Sequence, residues 1–221
     1  MDSNSLSEQY QRRFQASANY RDRVWKKILE VRLQSLIGED KSVLDLGCGW
    51  GEFSRNVNAR QKFAMDLNAD AASHLDSATQ FLHQDCSQAW PLADASLDVV
   101  FSSNFIEHLP HKEALEQTLE QALRCLRADG RIIFLGPNIR YVNGAYWDYW
   151  DHHLPLTDKS VAELLALKGF EVCQTIDRFL PYSMSEGRNP PLFLVAMYLR
   201  LPLAWKLLGK QFLVVARPAT A

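Results

Sequence analysis

The chain has only four cysteines in 221 residues, Cys48, Cys86, Cys125 and Cys173, and no two form a CxxC pair. Spaced so evenly, they outline neither a disulfide scaffold nor a thiolate metal centre, and they read as reduced thiols of a cytoplasmic protein. Long apolar runs are missing too. The most apolar stretch, Leu192 to Leu208, is interrupted by Arg200, Pro202 and Lys206, too short and broken to span a bilayer. The first residues, MDSNSLSEQYQRRF, lack the apolar centre of a secretory signal. No internal repeat or low-complexity tract is present, and glycine and proline, at 10 and 9, follow no period, which excludes a collagen-like chain. Neither sign of charge dominates: Lys+Arg 24 against Asp+Glu 26 leaves a net −2, so a dedicated nucleic-acid binder is not expected. What is present is ordinary for a globular protein, 47% hydrophobic and 23% charged residues, enough for one domain with its own core.

Hydrophobic periodicity lays out that domain. Phe14, Val24, Trp25, Ile28, Leu29, Leu33 and Leu36 recur at helical spacing, which predicts a helix from about Ser7 to Ile37, ended by Gly38. Short apolar strands are predicted at Ser42–Leu46, Lys62–Asp66, Thr79–His83, Leu97–Ser103 and Arg131–Leu135. Helices are expected from Glu52 to Asn58, around Asp70 to Asp76, and from Lys112 to Arg127, the last closed by Gly130. This alternation implies a parallel sheet with helices on both faces. The last third breaks the rhythm, with a loop from Pro137 to Pro155 and a Thr157-capped helix ending at Lys168-Gly169. Strands at Phe170–Ile176 and Gln211–Ala216 follow, separated by an insert with a helix from about Pro191 to Leu208. Lacking a crossover, these two strands are expected to pair antiparallel at the sheet's edge. The organisation is one domain: a helical cap (1–40), a core (41–177) with a loop at 137–157, a helical insert (178–210) and a last strand (211–217).

The first strand runs straight into Gly47-Cys48-Gly49-Trp50-Gly51. Glycines there admit positive φ and let the backbone approach a ligand where a Cβ would collide. Asp66 ends the second strand, where a carboxylate can accept both ribose hydroxyls of a nucleotide. Asp85, beside Cys86, ends the third, where a side chain and a backbone amide can read an adenine edge. Together these residues mark one crevice at the carboxyl edge of the sheet.

In these features the sequence resembles the class I S-adenosylmethionine-dependent methyltransferases. Val43 to Gly51 looks like their first motif, Asp66 falls on their ribose-binding acid and Asp85 on their adenine-contacting acid. Ser96 to Val100 with Glu107-His108-Leu109 matches their fourth-strand region, and Gly130 to Phe134 their fifth strand, so the likeness covers roughly Lys41 to Phe170. The resemblance implies a Rossmann-like α/β fold: a seven-stranded, mostly parallel sheet with helices on both faces and an antiparallel terminal strand pair. It implies S-adenosylmethionine as cofactor, with Gly47, Gly49 and Gly51 against its methionine portion and Asp45 organising the loop. Cys48, Leu67, Cys86, Ser103 and Asn104 would complete the crevice, and Arg21 would face the methionine carboxylate. An NAD-dependent dehydrogenase fits less well, because G-x-G-x-G stands where G-x-G-x-x-G is needed and residue 52 is Glu52.

A methyl group on a sulfonium needs an in-line nucleophile and at most a base, so no metal is expected. Ser102-Ser103-Asn104-Phe105 is not the Asn/Asp-Pro-Pro-Tyr/Phe of nucleobase and glutamine amino-methyltransferases, and Asn189-Pro190-Pro191-Leu192 lies too far downstream to replace it. That favours an oxygen acceptor, with a carbon acid or a non-catalytic cofactor-binding protein as alternatives. His108, three residues past Phe105, is the first candidate base or acceptor-positioning group, the alternative being a core histidine. Tyr141, Tyr146, Trp147, Tyr149 and Trp150 cluster with Asp148, Asp151, His152 and His153, a composition that suits a sugar or other polyhydroxylated acceptor. Asp151 would orient a histidine, His152 or His153, that removes a hydroxyl proton; the alternative is a packed lid. As a metal set, Asp148, Asp151, His152 and His153 are irregularly spaced. The run Asp151 to Thr157 resembles segments of bacterial methyltransferases associated with polysaccharide or glycolipid biosynthesis.

The near-neutral charge hides two unlike parts. Residues 42–186 carry 20 acidic against 11 basic side chains, while 187–221 carry five basic and no acidic ones. An acidic core suits a cationic cofactor and makes a nucleic-acid acceptor unfavourable. The basic, apolar tail leaves an anionic or membrane-linked acceptor open; the expected partners are a small-molecule, sugar or lipid-linked acceptor, with peripheral membrane contact through 190–210.

Overall fold

The computed structural model describes residues 18–182 and 189–219. The strands are β1 (Ser42–Leu46), β2 (Gln61–Asp66), β3 (Thr79–His83), β4 (Leu97–Ser103), β5 (Leu126–Pro137), β6 (Phe170–Leu180) and β7 (Gln211–Pro218). They form one sheet in the order β3-β2-β1-β4-β5-β7-β6. β1 to β5 run parallel, whereas β7 lies antiparallel to both β5 and β6, so the expected doubly covered sheet with an antiparallel terminal pair is what forms.

Successive strand residues point to opposite faces, and both faces are apolar, as a sheet with two covered faces requires. Leu44, Leu46, Val100, Ile132 and Phe134 face one layer, where α4 (Lys112–Cys125) and α6 (Asp158–Leu167) bring Leu115, Leu119, Ala122, Val161 and Leu165. Val43, Val99, Phe101, Ile133, Leu135 and Leu213 face the other. That side is covered by α1 (Ala18–Ile28), by Phe53 of α3 (Glu52–Asn56), and by Leu199 and Trp205 of α7 (Leu192–Arg200) and α8 (Pro202–Leu208).

Several elements depart from the sequence reading. The helix expected to end at Ile37 continues α1 through a π-helical stretch, Leu29–Leu33, into the short α2 (Gln34–Ile37), and its predicted first turns lie outside the described residues. The helix expected to reach Arg127 stops at Cys125, because Leu126 already pairs with Leu97 on β4. The single insert helix is two, broken at Leu201, since Pro202 has no N–H to continue a helix and starts α8 instead. The loop after β5 holds α5 (Ile139–Val142) and a 3₁₀ stretch, Asn143–Asp148. Around Asp70 the chain is 3₁₀, Ala69–His74, started by the Asn68 side chain accepting from the Asp70 amide.

Candidate active site

The crevice begins where β1 turns into α3. Gly47, Gly49 and Gly51 have φ of 72°, 52° and 70°, the left-handed region that favours glycine. The Gly47 and Cys48 amides both donate to the Met65 carbonyl, which fastens the turn to the end of β2. A Cβ on Gly47 would lie 2.1 Å from the Phe105 ring, and one on Gly51 2.5 Å from Leu75. Asp66 holds the loop from the next strand: its carboxylate accepts from the Gly49 amide at 2.9 Å and the Asn68 amide at 2.8 Å. Asp45, fully buried on β1, accepts the Ser54 hydroxyl at 2.6 Å and so ties the strand to α3. Burial pushes its carboxyl up to about 7, and pushes the Cys86 thiol up to about 11.

Two chambers open at this edge. The larger, about 480 Å³, is lined by Asp66, Leu67, Asp85, Cys86, Phe105 and His153, among others. Here Asp85 accepts from the amide and the hydroxyl of Ser87, at 2.9 Å and 2.8 Å. The smaller, about 150 Å³, is lined by Arg21, Asp45, Gly47, Cys48, Gly49, Glu52, Ser103, Asn104, Glu107, Tyr149, His152, Tyr182 and Gln211. Arg21 reaches it from α1 and pairs with the buried Glu52 at 2.9 Å. Asn104 sits at φ 49° at the end of β4, its amide group on the Ser103 hydroxyl. Every cofactor-crevice residue expected from the sequence therefore borders one chamber or the other, except Gly51, which shapes the turn behind them.

His108 and Asp151 border both chambers. Nδ1 of His108 lies 2.9 Å from the Asp151 carbonyl and 3.3 Å from its carboxylate. Burial works against the imidazolium, but the Asp151 hydrogen bond and the Glu107 charge outweigh it and hold the His108 pKa above the usual histidine value. Residues 43 apart meet here because the backbone clamps them: the His153 and Leu154 amides both donate to the Glu107 carbonyl, at 2.8 Å and 3.0 Å. Among the described contacts, the histidine that the Asp151 carboxylate meets is His108. His152 is buried, its Nδ1 2.8 Å from the Tyr146 carbonyl and its ring 4.8 Å from that of His108. His153 is exposed and faces the larger chamber.

The aromatic cluster divides its labour. Tyr146 is fully buried and donates to the Leu154 carbonyl, and Tyr149 lines the smaller chamber. Trp147 and Trp150 point outward, at 56% and 84% exposure, while Tyr141 binds Asp177 and packs under Arg178. One part is a packed lid and another borders the cavity.

Two acceptors in the smaller chamber were not among the expected site residues, although Glu107 lies in the Glu107-His108-Leu109 match. Glu107 is buried with Oε2 lacking a hydrogen-bond partner, and burial raises its carboxyl to about 6. Gln211 is buried at the start of β7; its amide nitrogen donates to the Pro181 carbonyl at 2.7 Å, but Oε1 lacks a partner. A glutamine opening an otherwise apolar strand, Gln211-Phe212-Leu213-Val214-Val215, was the available signal. Glu107 carried none beyond that match, because an acid beside a histidine is common on any surface.

The glycine turn, whose Gly47 and Gly49 border the smaller chamber, the two strand-end acids and a crevice at the carboxyl edge fit a nucleoside-bearing cofactor. Comparison with known proteins gives the same answer. A curated malonyl-[acyl-carrier protein] O-methyltransferase of Pectobacterium atrosepticum is 28% identical over 155 residues, 67% of this chain and 52% of that protein. The chain therefore spans about half the length of that relative. A protein of Mycolicibacterium smegmatis, named "Probable S-adenosylmethionine-dependent methyltransferase", is 29% identical over 180 residues, 77% of this chain and 67% of its own length. Among solved structures, a SAM-dependent methyltransferase from Archaeoglobus fulgidus shares the fold with a TM-score of 0.63 at 19% identity, over 92% of this chain and 98% of that one. The family described as "Methyltransferase domain" matches residues 17–175. The chain belongs to this methyltransferase family, on a class I fold whose cofactor is S-adenosylmethionine.

Proposed function

We propose that the protein transfers a methyl group from S-adenosylmethionine to a hydroxyl oxygen of a small polar acceptor, a sugar, glycolipid or related metabolite. The observation that carries this reading is the smaller chamber, where Glu107 Oε2 and Gln211 Oε1 are buried acceptors in want of donors beside the His108–Asp151 pair. Buried acceptors without donors are costly, roughly 1–3 kcal/mol each, and an acceptor molecule bearing several hydroxyls satisfies them. Tyr149 and Tyr182 give such a molecule aromatic walls.

When bound, the cofactor supplies an electrophilic methyl carbon. Asp66 and Asp85 would hold its adenosine end in the larger chamber; Arg21 and the glycine turn would hold its methionine end in the smaller. His108 borders both, so it stands where cofactor and acceptor meet. Asp151 accepts from Nδ1 and leaves Nε2 as the nitrogen that takes the hydroxyl proton. Water exclusion falls to Phe105, Tyr149 and the buried Asp151, His152 and Leu154.

A carboxylate acceptor is the second reading, suggested by the name of the Pectobacterium relative. Asp151 and Glu107 stand at the acceptor end of the chamber, away from the Arg21–Glu52 pair, and disfavour an anion there, so the hydroxyl is favoured. Beside the chamber lies an apolar cavity of about 240 Å³ under the insert, bordered by Val24, Ile28, Leu180, Leu194 and Leu199 and sharing Gln211 with the site. It supports an acceptor with an aliphatic portion, as a lipid-linked sugar has. The outward apolar side chains of α7 and α8, Phe193, Met197, Leu203 and Leu207, lie among Arg200, Lys206 and Lys210 and support peripheral contact with an anionic membrane. Among the described residues no helix is long and apolar enough to cross a membrane.

The test is transfer of labelled methyl from S-adenosylmethionine to a panel of free sugars, lipid-linked sugars and malonyl thioesters. Label in a sugar hydroxyl supports the reading. Label only in the thioester carboxylate, or in none, overturns it.

A further inference from the structure

We infer that the apolar cavity between α1 and α7 binds a single alkyl chain, and that Gln211, where the cavity meets the smaller chamber, takes a hydroxyl of the head group. The ligand class is thus a single-chain amphiphile with an uncharged, hydroxyl-bearing head. That this ligand is the methyl acceptor rests on the proposed transfer to oxygen; the chain site itself stands on the cavity. Its volume is about 240 Å³, and its walls are Val24 and Ile28 of α1, Leu180 of β6, and Val195 and Leu199 of α7.

The lining suits hydrocarbon better than water. Among the described residues, the polar side chains that border the cavity are Tyr20, Tyr198 and Gln211. The Tyr20 hydroxyl donates to the Pro190 carbonyl at 2.6 Å and the Tyr198 hydroxyl to the Phe179 carbonyl at 2.7 Å, so both hydroxyl protons are engaged. An ordered water needs two to four polar partners, which such side chains do not supply. An alkyl chain needs none, and each methylene group that leaves water for the cavity tightens binding roughly fourfold. A methylene takes about the space of a water molecule, roughly 30 Å³, so roughly eight fill the cavity.

Gln211 sets which end of the ligand lies where. Among the described residues it alone borders both this cavity and the smaller chamber. Its amide nitrogen donates to the Pro181 carbonyl at 2.7 Å, which holds Oε1 in place, buried and without a hydrogen-bond partner. An amide oxygen accepts, so it calls for an O–H or N–H donor, and a hydrocarbon chain has neither. The head hydroxyl therefore belongs at this junction and the chain beyond it. Leu180 stands opposite Gln211 across β6 and β7, so one pair of strands carries both the cavity wall and the junction. On the chamber side, Glu107 and Asp151 disfavour an anionic head. The cavity also opens at the surface of the insert, where Leu194 and Leu208 border it at 38% and 59% exposure.

The test separates the site from the activity. The purified chain is titrated calorimetrically with n-alkyl glucosides from ethyl to dodecyl, each below its micelle-forming concentration. Binding is expected to tighten roughly fourfold per methylene up to about octyl and to change little beyond it. No dependence on length, or tightening unbroken to dodecyl, overturns the site. Nonanoate, the same eight-carbon chain on a carboxylate, is expected to bind about tenfold more weakly than octyl glucoside, and equal or tighter binding overturns the ligand class. Val195→Trp fills the cavity from a half-buried position and is expected to bind octyl glucoside no more tightly than the ethyl probe. Circular dichroism and cofactor titration show whether the variant is folded, and unchanged octyl binding in the folded variant overturns the site. Should it unfold, photolabelling of the parent by octyl glucoside with a diazirine at the chain end decides. Adducts on the cavity walls support the site; adducts only elsewhere, as on the outward Phe193, Met197, Leu203 and Leu207, overturn it. Chain binding without methyl transfer to any hydroxyl leaves this site standing while the methyl-transfer reading fails. Label transfer to free sugars without chain binding does the reverse.

Discussion

Gly47 shows how little room the turn allows. A methyl group there would stand 2.1 Å from Phe105 on a backbone with φ 72°. Gly47→Ala is expected to lose about 2 kcal/mol of stability or more, read by urea unfolding, and to abolish cofactor binding by calorimetry. Asp45 carries a different kind of strain. Unfolded, its carboxyl titrates near the usual 4, and folded, burial raises it to about 7. Between these values the native state keeps a proton that the unfolded chain has lost, so raising the pH through this window removes stability, and below it the effect vanishes. Glu107, raised to about 6, adds a slope of the same sign. Asp45→Asn keeps an acceptor for Ser54 without the ionisation cost. Denaturant midpoints without cofactor are expected to fall less from pH 4 to pH 7 in the variant than in the parent. A parallel fall would show that Asp45 does not set the slope.

Elements divide into those that announce themselves and those that need a partner. Thr157 closes a capping box at α6: its hydroxyl accepts from the Ser160 amide at 3.0 Å, and the Ser160 hydroxyl accepts from the Thr157 amide at 2.9 Å. Thr157→Ala is expected to cost about 1 kcal/mol in the same unfolding assay. That cap was legible in sequence, as were β1, β3 and β4, whose apolar runs end at glycine, glutamine or asparagine. The end of α4 was not, because Leu126 suits a helix as well as a strand and only its pairing with Leu97 decides. The meeting of residues 107–108 with 151–154 was equally hidden, since it is made by backbone amides on the Glu107 carbonyl, which no side chain signals. For α7 and α8, vesicle sedimentation is the measurement. The chain is expected to pellet with anionic and not neutral vesicles, and Leu203→Glu with Leu207→Glu to stay in solution. Sedimentation indifferent to both changes would remove membrane contact from the proposal.

At the scale of the whole molecule, a ligand that binds only the folded chain stabilises it by mass action. S-adenosylmethionine at about 100 times its Kd is expected to add about 2.7 kcal/mol, a rise of roughly 5–10 °C in Tm, with no shift from NAD. The cofactor half could be read from sequence because its residues sit at strand ends in a fixed order. The acceptor half could not, because Glu107, Tyr182 and Gln211 come to one chamber from three distant segments.

The insert leaves and rejoins the sheet at paired positions: Leu180 of β6 stands opposite Gln211 of β7, and the Lys210 amide donates to the Leu180 carbonyl at 2.7 Å. Gly209 is pressed against Arg178 so closely that a Cβ would lie 2.3 Å from the Arg178 carbonyl oxygen. An excursion whose ends already touch is a detachable module. A tight turn in its place would leave a plain β-hairpin at the sheet edge, uncovering Phe179 and α1 but reaching neither the glycine turn nor Asp66 and Asp85. On the proposed acceptor site, exchange of this one contiguous segment would alter acceptor choice while the cofactor half stays as it is.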